Sequence, residues 1–410
     1  MKKWSVLILA LMLLLAGCSG QASLVRDTVV ASLDHPNYDY QASFKLAGDK
    51  DQLIKLAEAE NEPELTAILK ALGAGLTLNG SQQDLNRAKM VIELNDDKVL
   101  RDQKLWSGEQ KASVELLVDT NNIYVKTPLD QKYLLLSNDM NSSLGEPAVS
   151  ADEAKELQEK LQSLTFSFLK KYIPKFDYKL NQVKDYGKAT VKLPNGESVE
   201  TTHLAITLDM KEIVQLLRYI AEDATTNPEV KNLAVEFMVL TGELAAKNDP
   251  ALKTTPAERR AQAEAMVTLG LQALKQWLQT EGKEYTPEKV VAMAKEAGLE
   301  GLTLTLDYYI DENKLTVKQA SNFSITVKDE TTFGDKPVTF GFETDTLAWN
   351  YDKATSFSIP QAADTVSYEQ LLTDEKAVDA FDKNSFLRAI IDFALEERDA
   401  GLDAADVATP

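Results

Sequence analysis

The chain has 410 residues, with 44 basic and 64 acidic side chains, a formal net charge of −20, one cysteine and two histidines. That balance argues against nucleic acid as a partner, because no basic patch or stripe stands ready to neutralise phosphates. One cysteine allows no internal disulfide and no Cys-ligated metal site. Two distant histidines, His35 and His203, argue against a multi-histidine centre. No metal and no cofactor are expected.

In chain order, Lys2 and Lys3 form a short positive n-region. Trp4 to Ala16 is uncharged, which suits a secretory h-region and is too short to span a hydrocarbon core. The run ends in Leu15-Ala16-Gly17-Cys18. This resembles the lipobox of bacterial lipoproteins, in which the positions run aliphatic, small, small, cysteine. The resemblance implies a signal peptide over 1–17, cleavage between Gly17 and Cys18, and diacylglycerol (typically palmitate) on the Cys18 sulfur. Two acyl chains on one residue exceed the roughly one-chain threshold for stable anchoring. Cys18 is therefore expected to hold the protein on a cell membrane, outside the cytoplasm, through a lipidated tether over 18–36. No other long apolar run occurs.

Tyr38 to Leu46 alternates as a strand. Gln52 to Gly73 reads helical, with Pro63 breaking it. A meander follows. Gly75 to Asn79, Lys89 to Asn95, Val114 to Val118, Ile123 to Lys126 and Lys132 to Leu136 each carry period-two patterning, with Asp119-Thr120-Asn121-Asn122 as a turn. Period two with one polar face means antiparallel strands covered on one side. Ser150 and Glu153 form a capping box for a helix ending near Tyr172, ahead of Pro174.

Lys179 to Val191 and Val199 to Met210 make a long hairpin around Pro194-Asn195-Gly196. An all-helical insert over 211–298 comes next. Its second helix is expected to bury Val230, Leu233, Phe237, Leu240 and Leu244. Its third starts with Thr255 as cap, Pro256 and a closing Glu258. Leu302, Leu304, Leu306, Tyr308 and Ile310 then give the cleanest alternation in the chain. Leu315 and Val317, then Phe323 to Val327, then Val338 to Phe342 follow as neighbouring strands. Asn384 to Arg398 is an amphipathic terminal helix.

No low-complexity linker interrupts this order. The expected architecture is a single α+β domain over 37–372, with the helical insert inside it, and a C-terminal helix and tail over 373–410. A division into two lobes near residue 175 is the alternative. The lipobox, the meander, the central helices and the closing phrase Phe357-Ser358-Ile359-Pro360-Gln361-Ala362-Ala363-Asp364 together resemble the LolA/LppX-like lipoprotein superfamily. The order is also similar to lipoproteins of endospore-forming Gram-positive bacteria. The resemblance implies a large curved antiparallel sheet, a half-barrel, with helices packed on its concave face. It also implies room for acyl chains between them.

No sequence motif points to catalysis. HExxH, GxSxG, Walker A and GxGxxG are all missing, so no catalytic residue is assigned and the protein is expected not to be an enzyme. His203 is expected on the solvent side of its strand. The hydrophobic sheet face is expected at Leu302, Leu304, Leu306, Phe340 and Phe342. A long sheet with one apolar face must bury it. Where helices cover it incompletely, a groove for a lipid or other amphiphile remains. Two readings follow: a membrane-tethered carrier of a hydrophobic ligand, or a structural lipoprotein whose helical insert meets an envelope protein partner.

Overall fold

The computed structural model describes residues 22–120, 122–137, 151–248, 254–334 and 336–399. Gly17 and Cys18, the expected cleavage and lipid-attachment positions, lie outside the described residues. So does Ser150, the expected cap.

The strands are β1 (Tyr38–Gly48), β2 (Leu76–Gln82), β3 (Arg87–Leu94), β4 (Ser113–Asp119), β5 (Asn122–Lys126) and β6 (Tyr133–Ser137). They continue as β7 (Val183–Lys192), β8 (Ser198–Asp209), β9 (Leu299–Ile310), β10 (Thr316–Val327), β11 (Val338–Trp349) and β12 (Thr365–Ser367). The helices are α1 (Ala22–Asp34), α2 (Lys50–Ala59), α3 (Pro63–Ala74), α4 (Lys98–Asp102), α5 (Ala151–Tyr172) and α6 (Met210–Ala224). After them come α7 (Pro228–Asn248), α8 (Pro256–Gln279), α9 (Pro287–Glu296), α10 (Glu330–Phe333), α11 (Tyr368–Thr373) and α12 (Phe386–Asp399).

The fold is α+β with one large open sheet, in the order β12-β6-β5-β4-β3-β2-β1-β11-β10-β9-β8-β7. Within it the short pair β12–β6 is parallel. The chain divides into two compact units. Unit 1 holds Met1–Asp34, Glu146–Lys192 and Gly196–Thr339; unit 2 holds His35–Gly145, Leu193–Asn195 and Phe340–Pro410.

Unit 1 contains β7 to β10 and a closed core. Leu204, Ile206 and Leu208 of β8 face one side; on β9 Tyr308 lies opposite Leu204 and Leu306 opposite Ile206, with Ile310 on the same face opposite Thr202. All six core side chains are at most 4% exposed. Helix α6 covers them with Leu216, and Tyr172, Phe176 and Tyr178 close the flank. Each such side chain contributes about 1.5–3 kcal/mol through its burial. The start of α6 is fixed by Asp209, whose carboxylate accepts from Glu212 N. The Glu212 carboxylate is itself buried, accepting from Tyr178 Oη (2.9 Å) and Asn181 Nδ2 (2.5 Å). The expected box at α8 is present: Thr255 and Glu258 cap each other reciprocally. At the free edge, β7 carries a bulge between Asp185 and Gly187, where Gly187 takes φ +80°. Bulge and flanking lysines blunt an edge that would otherwise invite pairing.

Three expectations for unit 1 are corrected. Residues 316–327 form one strand, β10, and not two, because the polar run between Val317 and Phe323 pairs continuously with β9. Helix α7 buries Val235 at 3%, while Phe237 is 50% exposed. Its sequence is apolar on more than one side, so period alone does not choose the buried face. The tether reading is also revised, because α1 within it is docked: Val25 is fully buried in the core cluster.

Unit 2 contains β1 to β6, most of β11, and β12. The helical stretch over 52–73 is broken at Pro63, as expected, into two helices, and Pro63 opens the second. A first-turn proline loses no hydrogen bond there. A second core cluster joins Leu134 of β6 to Val366, Leu371, Phe381, Leu387 and Ile391 of the C-terminal elements. Asp39, 5% exposed, ties β1 to its surroundings. It accepts from Ser81 Oγ (2.5 Å), Asn350 Nδ2 (2.8 Å), Thr355 N (2.9 Å) and Thr355 Oγ1 (2.9 Å).

Candidate functional site

The candidate site is an apolar sheet face in unit 2. Alternation puts Ala42, Phe44 and Leu46 of β1 on one face. The register sets Leu46 opposite Phe342 and Gly48 opposite Phe340 on β11. On the other side Phe44 faces Leu76 and Ala42 faces Leu78. Leu76 faces Leu94 and Leu78 faces Ile92, and Ile92 then faces Val114 and Met90 faces Leu116. Five neighbouring strands thus present aliphatic and aromatic side chains on one face, because the side-chain period of a strand is two. Phe44 and Phe342 stack at 5.6 Å.

This face is not sealed. No residue of β2 or β3 is fully buried, and Phe44, Leu46, Leu116, Phe340 and Phe342 are all half-buried. The cover given by the C-terminal elements reaches Val125, Leu134 and Leu136 at the β5–β6 end. Unit 2 also exposes Leu65 (46%) and Ile68 (55%) on α3, and Ile390 (59%) and Phe393 (57%) on α12. The opposite face is polar over β1 and β2 and mixed at β3 and β4, where Val91 and the buried Leu117 lie. It carries cross-strand ion pairs Lys45–Glu343 (2.8 Å) and Lys89–Glu115 (2.9 Å). Burial raises the Glu115 carboxyl, but bonds from Lys89 and Tyr133 outweigh it and hold it below the usual carboxylate range.

The apolar face ends in tyrosines. Tyr38 and Tyr40 lie 6.1 Å apart, and Tyr38 meets Tyr351 at 5.5 Å. The Tyr40 ring lies against Gly80, where a Cβ would fall on its hydroxyl end. Glycine is required there by close approach. Burial, with Tyr38 adding to it, pushes Tyr40 up to about 12. Its hydroxyl therefore stays neutral at ordinary pH and keeps its proton to donate. Chemically the arrangement offers a wide apolar strip with neutral hydroxyls at one end.

The residues singled out from the sequence fall in two places. Phe340 and Phe342 belong to this face. Leu302, Leu304 and Leu306 belong to unit 1: Leu306 is core at 1%, Leu304 packs against that core, and Leu302 is half-buried. Phe44, Leu76, Leu78, Ile92 and Tyr40 were not singled out. Their alternation was visible, but nothing local separates an unsealed strand from a sealed one. Two cavities elsewhere contain none of the face residues. One of about 330 Å³ is lined by Pro36, Leu85, Arg87 and Thr120. One of about 260 Å³ is lined by Leu164, Phe168, Lys171, Leu233 and Arg260.

His203 does face away from Leu204 and Ile206, yet it is enclosed. Its ring is stacked between Tyr186 (4.5 Å) and Tyr309 (4.2 Å), and Nε2 lies 2.7 Å from Asp307 Oδ1. These three rings come from three strands, so no sequence neighbour announces the stack. Among the described residues no group of three His, Cys, Asp or Glu side chains is placed to hold a metal ion. Among them, too, no helix is long and apolar enough to cross a membrane.

No protein-family model matches this chain, and no curated protein matches it. Among solved structures, the lipoprotein LppX of Mycobacterium tuberculosis is similar at 11% identity and a TM-score of 0.28, covering 82% of this chain and 97% of that one.

Proposed function

We propose that this chain is a lipid-anchored, extracytoplasmic carrier that holds a lipid or other amphiphile on the apolar face of unit 2 and performs no catalysis. One observation carries the reading: five adjacent strands present a continuous apolar face whose residues stay only half-buried. Folding would gain by sealing such a face, so leaving it open is a cost that a ligand offsets. Across five strands at about 4.8 Å spacing the face is roughly 19 Å wide. The tyrosine hydroxyls at its end suit a polar headgroup. Lipid on Cys18 would place the carrier at the membrane that supplies its cargo.

The test is native mass spectrometry of the purified chain together with uptake of a fluorescent fatty acid. A co-purifying lipid mass and saturable uptake are expected. Absence of both would sink the carrier reading.

A second reading has its own observation. The helical insert exposes Leu217 (50%), Phe237 (50%), Met266 (60%), Leu269 (65%) and Trp277 (44%). Apolar residues so exposed suit an envelope protein partner. A stable partner crosslinked at Leu269, from a chain that takes up no lipid, would favour it.

A further inference from the structure

Helix α1 lies inside the stretch expected to be a free spacer, and it is docked. Val25 is fully buried and Thr28 is 1% exposed. Val25 joins the core cluster that holds Tyr172, Phe176 and Ile310. Two ion pairs pin the helix: Lys314 Nζ to Asp27 Oδ2 at 2.8 Å, and Lys170 Nζ to Asp34 Oδ1 at 2.5 Å. Only the residues before Ala22 remain as leash. Three residues, Ser19 to Gln21, lie between Cys18 and Ala22, and the four Cα–Cα steps reach at most about 14 Å. A free spacer over 18–36 would reach about 60 Å.

The surface beside α1 also departs from the charge of the whole. From 170 to 179 the chain carries Lys170, Lys171, Lys175 and Lys179 against one acid, Asp177, in a protein of net charge −20. Packing fixes which way they point. Tyr172, Ile173, Phe176, Tyr178 and Leu180 are buried, and Lys171, Pro174, Lys175 and Lys179 between them are exposed. Lys175 pairs with Glu229 at 3.0 Å. Lys171 and Lys179 make no ion pair among the described residues. The two acids of α1 are each already bonded to a lysine, Asp34 to Lys170 and Asp27 to Lys314.

We propose that this strip of unit 1, α1 with the lysines at 170–179, faces the bilayer directly and meets anionic lipid headgroups. The inference rests on lipid attachment at Cys18 as read above. The docked helix turns a long spacer into a short strap. The strap holds a locally basic surface against a membrane that would repel the acidic remainder. An acyl anchor and a basic surface are the two signals that together make attachment firm and orient it. The exposed lysines keep their stems on the protein and their charges in water, which suits headgroup contact without insertion.

The test uses the lipid-modified full chain on vesicles of three parts phosphatidylcholine to one part phosphatidylglycerol. Cys18 is the chain's one cysteine, so Pro174→Cys supplies a unique labelling site. A fluorophore there is expected to be quenched by lipids spin-labelled in the headgroup. Inserting about twenty Gly/Ser residues between Gly20 and Gln21 adds a coil reach of about 25 Å and is expected to cut quenching about twofold or more. Lys171→Glu combined with Lys179→Glu is expected to lower quenching on these vesicles and leave it unchanged on pure phosphatidylcholine. Both lysines are exposed, so the fold should survive, and circular dichroism checks that it does. Lipid-modified protein whose quenching ignores both the insertion and the charge reversal overturns this inference alone. Chain that carries no lipid on Cys18 overturns the lipoprotein reading and this inference with it.

Discussion

The same period-two alternation produces a sealed core in unit 1 and an open apolar face in unit 2. In β8 and β9, Ile206, Leu208, Leu306 and Ile310 are at most 1% exposed. In β2 and β3, Leu76, Leu78, Ile92 and Leu94 are all half-buried. The strands themselves do not make this difference. Unit 1 brings α6 and the aromatic run Phe168, Tyr172 and Phe176 onto its strands. In unit 2 the C-terminal elements cluster over β5 and β6. The lesson is that strand pattern selects the apolar face, and the helices that land on it decide whether that face is core or open surface.

Truncating one leucine in each unit gives the largest predicted contrast. Leu306→Ala removes a side chain from a filled core and should cost about 2–5 kcal/mol, because the neighbours collapse only partly around the cavity. Leu78→Ala removes one that water already reaches and should cost about 1 kcal/mol. Chemical denaturation of each variant measures both. Equal losses would mean that the unit 2 face is sealed in solution, and the comparison would fail.

The next contrast concerns space. Gly80→Leu places side-chain atoms where the Tyr40 ring lies. It should destabilise by about 1–3 kcal/mol through overpacking and displace Tyr40 from the end of the apolar strip. Phe342→Glu should cost less stability and remove fatty-acid uptake. Uptake that persists in Phe342→Glu would move the binding surface elsewhere.

Asp39 sets a pH limit on unit 2. Burial raises its carboxyl, but hydrogen bonds from Ser81, Asn350 and Thr355 outweigh burial and hold it below the usual carboxylate range. A folded-state pKa below the unfolded one contributes stability above the unfolded value, and the contribution is lost as pH falls through the folded value. Stability of unit 2 should therefore fall on the acid side, below about pH 4. Asp39→Asn should flatten that limb while lowering stability at neutral pH. A limb that stays unchanged in the variant would assign the acid sensitivity to other carboxylates.

The sequence carried much of the architecture and little of the site. The elements were readable because strands and helices impose short periods: Leu302 to Ile310, the Thr255–Glu258 cap and the Pro194–Gly196 hairpin all follow from neighbours in the chain. The face of α7 was not readable, since Val235 and Phe237 are equally apolar and only contacts choose between them. An apolar sheet face was legible at Phe340 and Phe342 and equally at Leu302, Leu304 and Leu306. That Leu306 is sealed was not legible, because burial depends on α6, whose own pattern says nothing about where it docks. Docking of α1 was only partly legible: Leu24, Val25, Val29, Val30 and Leu33 give the stretch some amphipathic character, but nothing in it says where Val25 packs. The Tyr186–His203–Tyr309 stack needs three strands in register, which no single stretch encodes.

The smallest predicted effect concerns α3, the helix beside the open face. Thr66 is 8% exposed, and its Oγ1 is buried without a hydrogen-bond partner among the described residues. A helical threonine usually returns its hydroxyl to the carbonyl four residues back, which here is Glu62. That carbonyl accepts Thr66's own backbone N–H at 2.9 Å, and the hydroxyl adds no second bond to it. The hydroxyl therefore loses its water on folding and gains nothing for it. Thr66→Val keeps the shape and removes the unsatisfied group, so it should stabilise unit 2 by about 1 kcal/mol. The matched change Thr28→Val in unit 1 removes a hydroxyl that donates to Leu24 O at 2.9 Å, and it should be neutral or slightly destabilising. Opposite signs for two buried threonines on helices would show that the looseness of unit 2 extends from its sheet to the helix beside it. A destabilising Thr66→Val would mean that water or a bound ligand satisfies that hydroxyl, and the site would then extend to α3.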